Sequence, residues 1–349
     1  MSFRLTAASF VCALLAASCG GGGGSGGTNG TGGGQVSAAT PLVAITESSA
    51  KPVAANALDN VMKAAATRAT GLPLGVQVDL AALGGTGALQ ALTTAARLGA
   101  ASIAGAQLPV GVAIDRTTAC PAGGSLTVTG NVASTAAVVA GDTLTVTHHN
   151  CRINQAGVVL TFNGQVAIEI INGTLTDTLP FHVVMQSTVT NLSVQAGSSL
   201  AVSNGDARID WSATSVSSQT LLATGQSLAT RETISGGATR NTVLRDYAQG
   251  LAISGTVATA TLSGTIETNS PQLGTTASTY MVSTPAAVVW DPLAGVVAAG
   301  TLRVVGARGA QFTLTFTVNN VAQILLDENG DGSADRTITT NLTELSGLL

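Results

Sequence analysis

From about residue 108 onward, apolar and polar side chains alternate one for one, a period that only an extended strand can use. Leu126 and Val128 alternate with Ser125, Thr127 and Thr129, and Leu144 and Val146 with Thr143, Thr145 and Thr147. Phe162, Val166, Ile168 and Ile170 share a face opposite Thr161, Asn163, Gln165 and Glu169; Phe312, Leu314, Phe316 and Val318 oppose Thr313, Thr315 and Thr317. Such runs place one face on a core and the other in water. Turn signals punctuate them at Gly123-Gly124, Gly141-Asp142, Asn172-Gly173, Asn204-Gly205, Gly236-Gly237 and Asn329-Gly330. Asn163-Gly164 falls inside an alternating run and reads as a bulge or bend. About ten to fourteen strands fit this spacing. No fixed-period repeat emerges, which favours a meander or sandwich over a solenoid. The expected fold is mainly β over residues 107–349: one large curved antiparallel sheet, arranged as a meander, sandwich or incomplete barrel.

Residues 41–106 read differently. Val53, Ala57, Leu58, Val61, Met62, Ala65 and Ala69 recur at three- and four-residue spacing, with Pro52 placed for a first helical turn and Gly71 and Pro73 for a stop. A second, weaker helix spans Ala88 to Leu98, with Leu89, Leu92 and Ala96 on one side. This short Ala-rich helical segment is expected to cover the apolar face of the sheet.

Composition narrows the function classes. Only 9% of the 349 residues are charged, the net charge is -4 and Lys51 and Lys63 are the two lysines, so no basic footprint exists for nucleic acid. Three His leave little material for acid–base or metal chemistry. An aromatic content of 3% lacks the girdles of a transmembrane barrel. The apolar stretch from Leu98 to Ile114 is broken by Ser102, Gln107 and Pro109 and is too short to span a bilayer.

Residues 1–18 have the form of an export signal: Arg4, an apolar run from Leu5 to Ala17, then small residues. Leu15-Ala16-Ala17-Ser18-Cys19 resembles a bacterial lipobox, which implies that Cys19 is acylated and becomes the first mature residue. Residues 19–40 follow as a tether, with eleven Gly between Gly20 and Gly34. A coil of that length spans roughly 25 Å. Gly20 after the cysteine resembles outer-membrane sorting in Gram-negative cells.

Further motifs follow in order: Cys120-Pro-Ala-Gly-Gly-Ser125, Ala140-Gly141-Asp142-Thr143, Asn150-Cys151, Leu160-Thr-Phe-Asn-Gly164, Asp246-Tyr247, Gly300-Thr-Leu302 and Leu326-Asp-Glu-Asn-Gly-Asp-Gly332. With the signal and tether, this order resembles a group of uncharacterised proteobacterial lipoproteins with an exported β-rich body. The resemblance runs through nearly the whole chain and implies a membrane-anchored envelope protein, without implying an activity.

Once Cys12 leaves with the signal and Cys19 takes lipid, Cys120 and Cys151 remain, and an exported chain most simply joins them. A loop of about thirty residues would contribute roughly 3–4 kcal/mol. The other reading is a reactive cysteine near His149. Asp327, Asn329, Asp331 and Asp335 occupy positions 1, 3, 5 and 9 of an EF-hand-like loop with Gly332 at the turn, so weak calcium binding at ~10⁻⁴–10⁻³ M is one reading. Ile338 stands where the bidentate Glu belongs, and a plain hairpin between Ala322–Leu326 and Arg336–Thr340 is the other.

His148 and His149 point to opposite faces of a strand, and His182 reads as a satisfied strand histidine. Ser227 sits in a near-match to a nucleophile elbow, but without the strand-to-helix turn that motif needs. Glu169, Asp177, Asp206 and Asp210 read as solvated strand ends, and Arg240, Arg245 and Asp246 as loop charges. The leading expectation is a lipid-anchored, non-catalytic envelope protein that acts by structure or binding. It would touch the membrane through its N-terminal lipid and have no nucleic-acid partner. A periplasmic carrier of a hydrophobic or lipid ligand is the alternative, and an envelope hydrolase, needing His149 or His182 beside a Ser and a carboxylate, is the third.

Overall fold

The alternating pattern folds as it reads. The computed structural model describes residues 40–65, 88–103, 112–134, 137–155, 158–176, 178–215, 217–233, 239–270, 273–274, 277–291, 296–317 and 320–349. Two helices, α1 (Glu47–Ala65) and α2 (Ala88–Ile103), precede the strands β1 (Val112–Ala119), β2 (Ser125–Val132), β3 (Val138–Val139), β4 (Thr143–Gln155) and β5 (Val158–Leu175). Then come β6 (Phe181–Ala196), β7 (Ser199–Ser215), β8 (Ser218–Thr233), β9 (Thr239–Ser254) and β10 (Val257–Thr268). The chain continues through β11 (Ser278–Asp291), β12 (Val296–Val305), β13 (Gln311–Phe316), β14 (Val321–Asp327) and β15 (Arg336–Asn341) and finishes with the short α3 (Leu342–Ser346). All fifteen strands form one open antiparallel meander in which each lies beside its sequence neighbour; two-residue β3 alone leaves the path, to pair with β5.

Strands this long, up to 18 residues in β5, would make a wide flat surface unless something bent them. A row of bulges runs across their middles. The register shifts between His148 and Cys151 where β4 meets β5, between Asn163 and Gln165 where β5 meets β6, and between Val189 and Leu192 where β6 meets β7. It shifts again between Gly205 and Arg208 on β7 and between Ser263 and Thr265 on β10. Each bulge adds a residue to one strand and bends it, so a row of them curves the whole sheet. Side chains fasten the row: the Asn150 N–H donates to Asn163 Oδ1 and the Asn191 N–H to Asn204 Oδ1, both at 2.8 Å. Gly164 has φ +97°, and a Cβ there would lie 2.1 Å from the Asn191 carbonyl oxygen, so only glycine fits.

These bulges correct the sequence reading at two points. Asn163-Gly164 is a bulge, as expected, but Asn172-Gly173 and Asn204-Gly205 also lie inside strands, β5 and β7, and not at turns. Asn-Gly supplies the positive φ that a bulge and a tight turn both require, so the dipeptide alone does not separate them. Gly123-Gly124 and Asn329-Gly330 do join neighbouring strands. Gly236-Gly237, like Gly71, Pro73, Asp177, Cys19 and the rest of residues 1–39, lies outside the described residues.

Helix α1 starts at Glu47, so Pro52 sits inside it and not in its first turn. Thr46 opens the helix instead: its carbonyl accepts the Ala50 N–H, and its own N–H donates to Ser49 Oγ. Helix α2 runs to Ile103, five residues past the expected end. The helices divide the apolar face between them, α2 lying on β2 and β4–β8 and α1 on β9, β10, β12 and β14. Gly99 lets α2 come close to β4, since a Cβ would stand 2.6 Å from Val146 Cγ2. Val53, Ala54, Leu92, Ala96, Val146, Phe162, Ile209 and Leu262 belong to one continuous buried cluster. Thr40–Leu349 is thus a single compact unit in which helices and sheet share a core. The chain enters it through a clamp. Val43 donates its N–H to the Thr279 carbonyl and accepts from the Ala307 N–H at its own.

Candidate functional site

Titratable side chains concentrate where α1 crosses the sheet. Asn56, Asp59, Asn60 and Lys63 are spaced at i, i+3, i+4 and i+7, which puts them on one face of the helix. That polar face turns inward. Glu232 at the end of β8 and Arg240 at the start of β9 stand directly opposite each other across their hairpin and meet it. Lys63 Nζ lies 3.0 Å from Asp59 Oδ2 and 2.8 Å from Glu232 Oε2, and Arg240 reaches the same two oxygens at 2.9 and 2.7 Å. All four side chains are at most 12% exposed.

The environment favours the charged forms of Glu232 and Arg240. Burial alone would raise the Glu232 carboxyl, but Lys63 and then Arg240 outweigh it and hold it below its ordinary value. Burial likewise works against the Arg240 cation, and Asp59 and Glu232 more than offset it. Around the quartet, Tyr280 donates to Asn56 Oδ1 and Gln249 Nε2 donates to the Asn60 carbonyl. Burial, with the negative charge of Asp59, pushes the Tyr280 hydroxyl well above its usual value, so it stays protonated. Two carboxylates and two cations cancel. The arrangement ties α1 to side chains of β8, β9 and β11 and presents no activated nucleophile. The sequence reading of Arg240 as a loop charge is therefore wrong: it is a buried strand residue, and its partners lie 181 and eight positions away in the chain.

The other candidate residues fall as follows. Cys120 and Cys151 are bonded, with Cα atoms 5.4 Å apart. His148 is buried, its ring centroid 5.8 Å from that of Phe162, while His149 is exposed. His182 Nε2 sits 2.9 Å from Asp210 Oδ1, and Ser212 is the cross-strand neighbour of His182. Both paired side chains are about half exposed, at 51% and 54%, and the Ser212 hydroxyl is taken by Thr220 at 2.8 Å. Asp206 and Asp210 lie within β7 and not at a strand end; Asp206 receives the N–H groups of Gln226 and Ser227. Ser227 itself is inside β8.

Asp327, Asn329, Asp331 and Asp335 come together on the β14–β15 hairpin. Asp327 Oδ1 accepts the Gly330 N–H at 2.7 Å, and Oδ2 accepts the Gly332 N–H and the Gln311 amide, each at 2.9 Å. Asn329 and Asp331 accept the N–H groups of Asp331 and Ser333, and Asp335 that of Glu328. Both oxygens of the residue at position 1 are thus committed to the turn. Among the described residues, no three His, Cys, Asp or Glu side chains are grouped to hold a metal ion.

A carrier would need an apolar hollow beneath the helices, and the side chains described there pack into the one buried cluster. Among the described residues, no helix is long and apolar enough to cross a membrane. No family model matches the chain, and neither a curated protein nor a solved structure matches it.

Proposed function

We propose that the protein is a lipid-anchored component of the bacterial cell envelope, held at the outer membrane, whose role is structural or binding and not catalytic. The observation that carries this reading is the sequence Leu15-Ala16-Ala17-Ser18-Cys19 followed at once by the Gly-rich stretch. Acylation at Cys19 would place two or more chains in the bilayer, and anchoring needs more than one. The body supports the non-catalytic half of the reading. Its densest group of charges is an internally neutralised quartet, and its His–Asp pair stands on an open sheet face with the adjacent Ser hydroxyl engaged elsewhere. The apolar packing under the helices lends nothing to a lipid carrier.

The test is metabolic labelling with an alkyne-tagged palmitate in a Gram-negative host, followed by membrane fractionation. The wild-type chain takes label and sediments with outer membranes, and Cys19→Ala loses both. An unlabelled chain in the soluble periplasmic fraction would overturn the proposal.

A further inference from the structure

We propose that Asn172 is a site of spontaneous deamidation, and that it matures ahead of the other Asn-Gly pairs in the folded body. Four such pairs lie among the described residues: Asn163-Gly164, Asn172-Gly173, Asn204-Gly205 and Asn329-Gly330. In each, a following glycine leaves the backbone nitrogen unshielded by a Cβ. What differs is where each Asn side chain is held. Asn163 Oδ1 is tied to the Asn150 N–H and Asn204 Oδ1 to the Asn191 N–H, both on a neighbouring strand and both at 2.8 Å. Asn329 Oδ1 is turned to the N–H two residues on, that of Asp331, at 2.8 Å. Asn172 is exposed, and its Oδ1 lies 2.8 Å from the nitrogen of its own successor, Gly173.

That contact sets the reacting groups side by side, because the oxygen is bonded to the carbon that is attacked. The Gly173 nitrogen adds to Asn172 Cγ, forming an N–C bond. The Cγ–Nδ2 bond breaks, and the amide nitrogen leaves as ammonia with the proton given up by the backbone nitrogen. Water then opens the five-membered imide at either carbonyl, giving aspartate or isoaspartate. No oxidant or cofactor enters. Isoaspartate lengthens the main chain by one carbon, two residues before Thr174, the residue to which both β3 (through Val139) and β6 (through His182) are paired.

The folded protein is held in mildly alkaline buffer for weeks, beside a sample unfolded in urea, and both are followed by peptide mass spectrometry. Asn172 should convert severalfold faster than the other three pairs in the folded sample, and this lead should vanish in urea. The proposal is overturned if another pair leads in the folded protein, if Asn172 keeps its amide, or if its lead persists in urea.

Discussion

Lys63 of α1 and Glu232 of β8, 169 positions apart in the chain, meet at 2.8 Å inside the protein. Removing one charge from the quartet leaves the others buried without balance, a loss of about 3–5 kcal/mol. Lys63→Met or Glu232→Leu alone should therefore be severely destabilising. Made together, they leave the Asp59–Arg240 pair neutral, and the double variant should be more stable than either single one. Urea unfolding of the four proteins gives the coupling energy; simple additivity would show that Lys63 and Glu232 do not act as a unit.

Burial, helped by the charge of neighbouring His149, lowers the His148 imidazole from 6.5 to about 4. The unfolded chain takes up a proton near pH 6.5 that the folded chain refuses until about pH 4. Stability is complete above 6.5 and falls as the pH drops through this window, by about 3 kcal/mol at most. His148→Leu should flatten the pH dependence of Tm between these limits. The acid loss that remains should begin as the pH falls past the ordinary carboxyl values, 4.5 for Glu232 and 3.8 for Asp327, because the unfolded chain protonates there while the folded carboxyls are held lower. An unchanged slope in the variant would remove His148 as its source.

Alkylation of the unreduced protein should label neither Cys120 nor Cys151, and Cys151→Ala should cost roughly 3–4 kcal/mol for a loop of 31 residues. Stoichiometric labelling of both would mean that the two thiols are free in the folded protein.

Calcium titration should release no heat and leave Tm in place, because Asp327 already spends both oxygens on Gly330, Gly332 and Gln311. Asp327→Ala should lower Tm by a few degrees by orphaning those donors. A calcium-dependent rise in Tm that the variant abolishes would restore the metal reading.

The sheet was legible because its signal is local: Leu126 and Val128 against Thr127 and Thr129 already state which side is wet. The bulges were less so. Asn204-Gly205 carries the same φ requirement as a turn, and only the partner strand reveals which is used. The quartet was missed for a different reason. Asn56, Asp59, Asn60 and Lys63 fall on one helical face, but solvent is the usual place for such a face, and Arg240 reads from sequence as a loop charge. One sign was present: Glu232 and Arg240 are opposite charges equidistant from Gly236, the placement of a facing pair across a hairpin.

The meander has a kinetic consequence. When every long strand pairs with the one made just before it, closing each new ladder orders only a short stretch of chain. The sheet can then grow hairpin by hairpin in chain order. Asp59, Lys63, Glu232 and Arg240 obey the opposite logic. The helix that carries the first two is among the earliest segments to appear, and its polar face stays unmatched until β9 arrives. Until then α1 has no finished surface to dock on, and the quartet records that the middle of the sheet is in place.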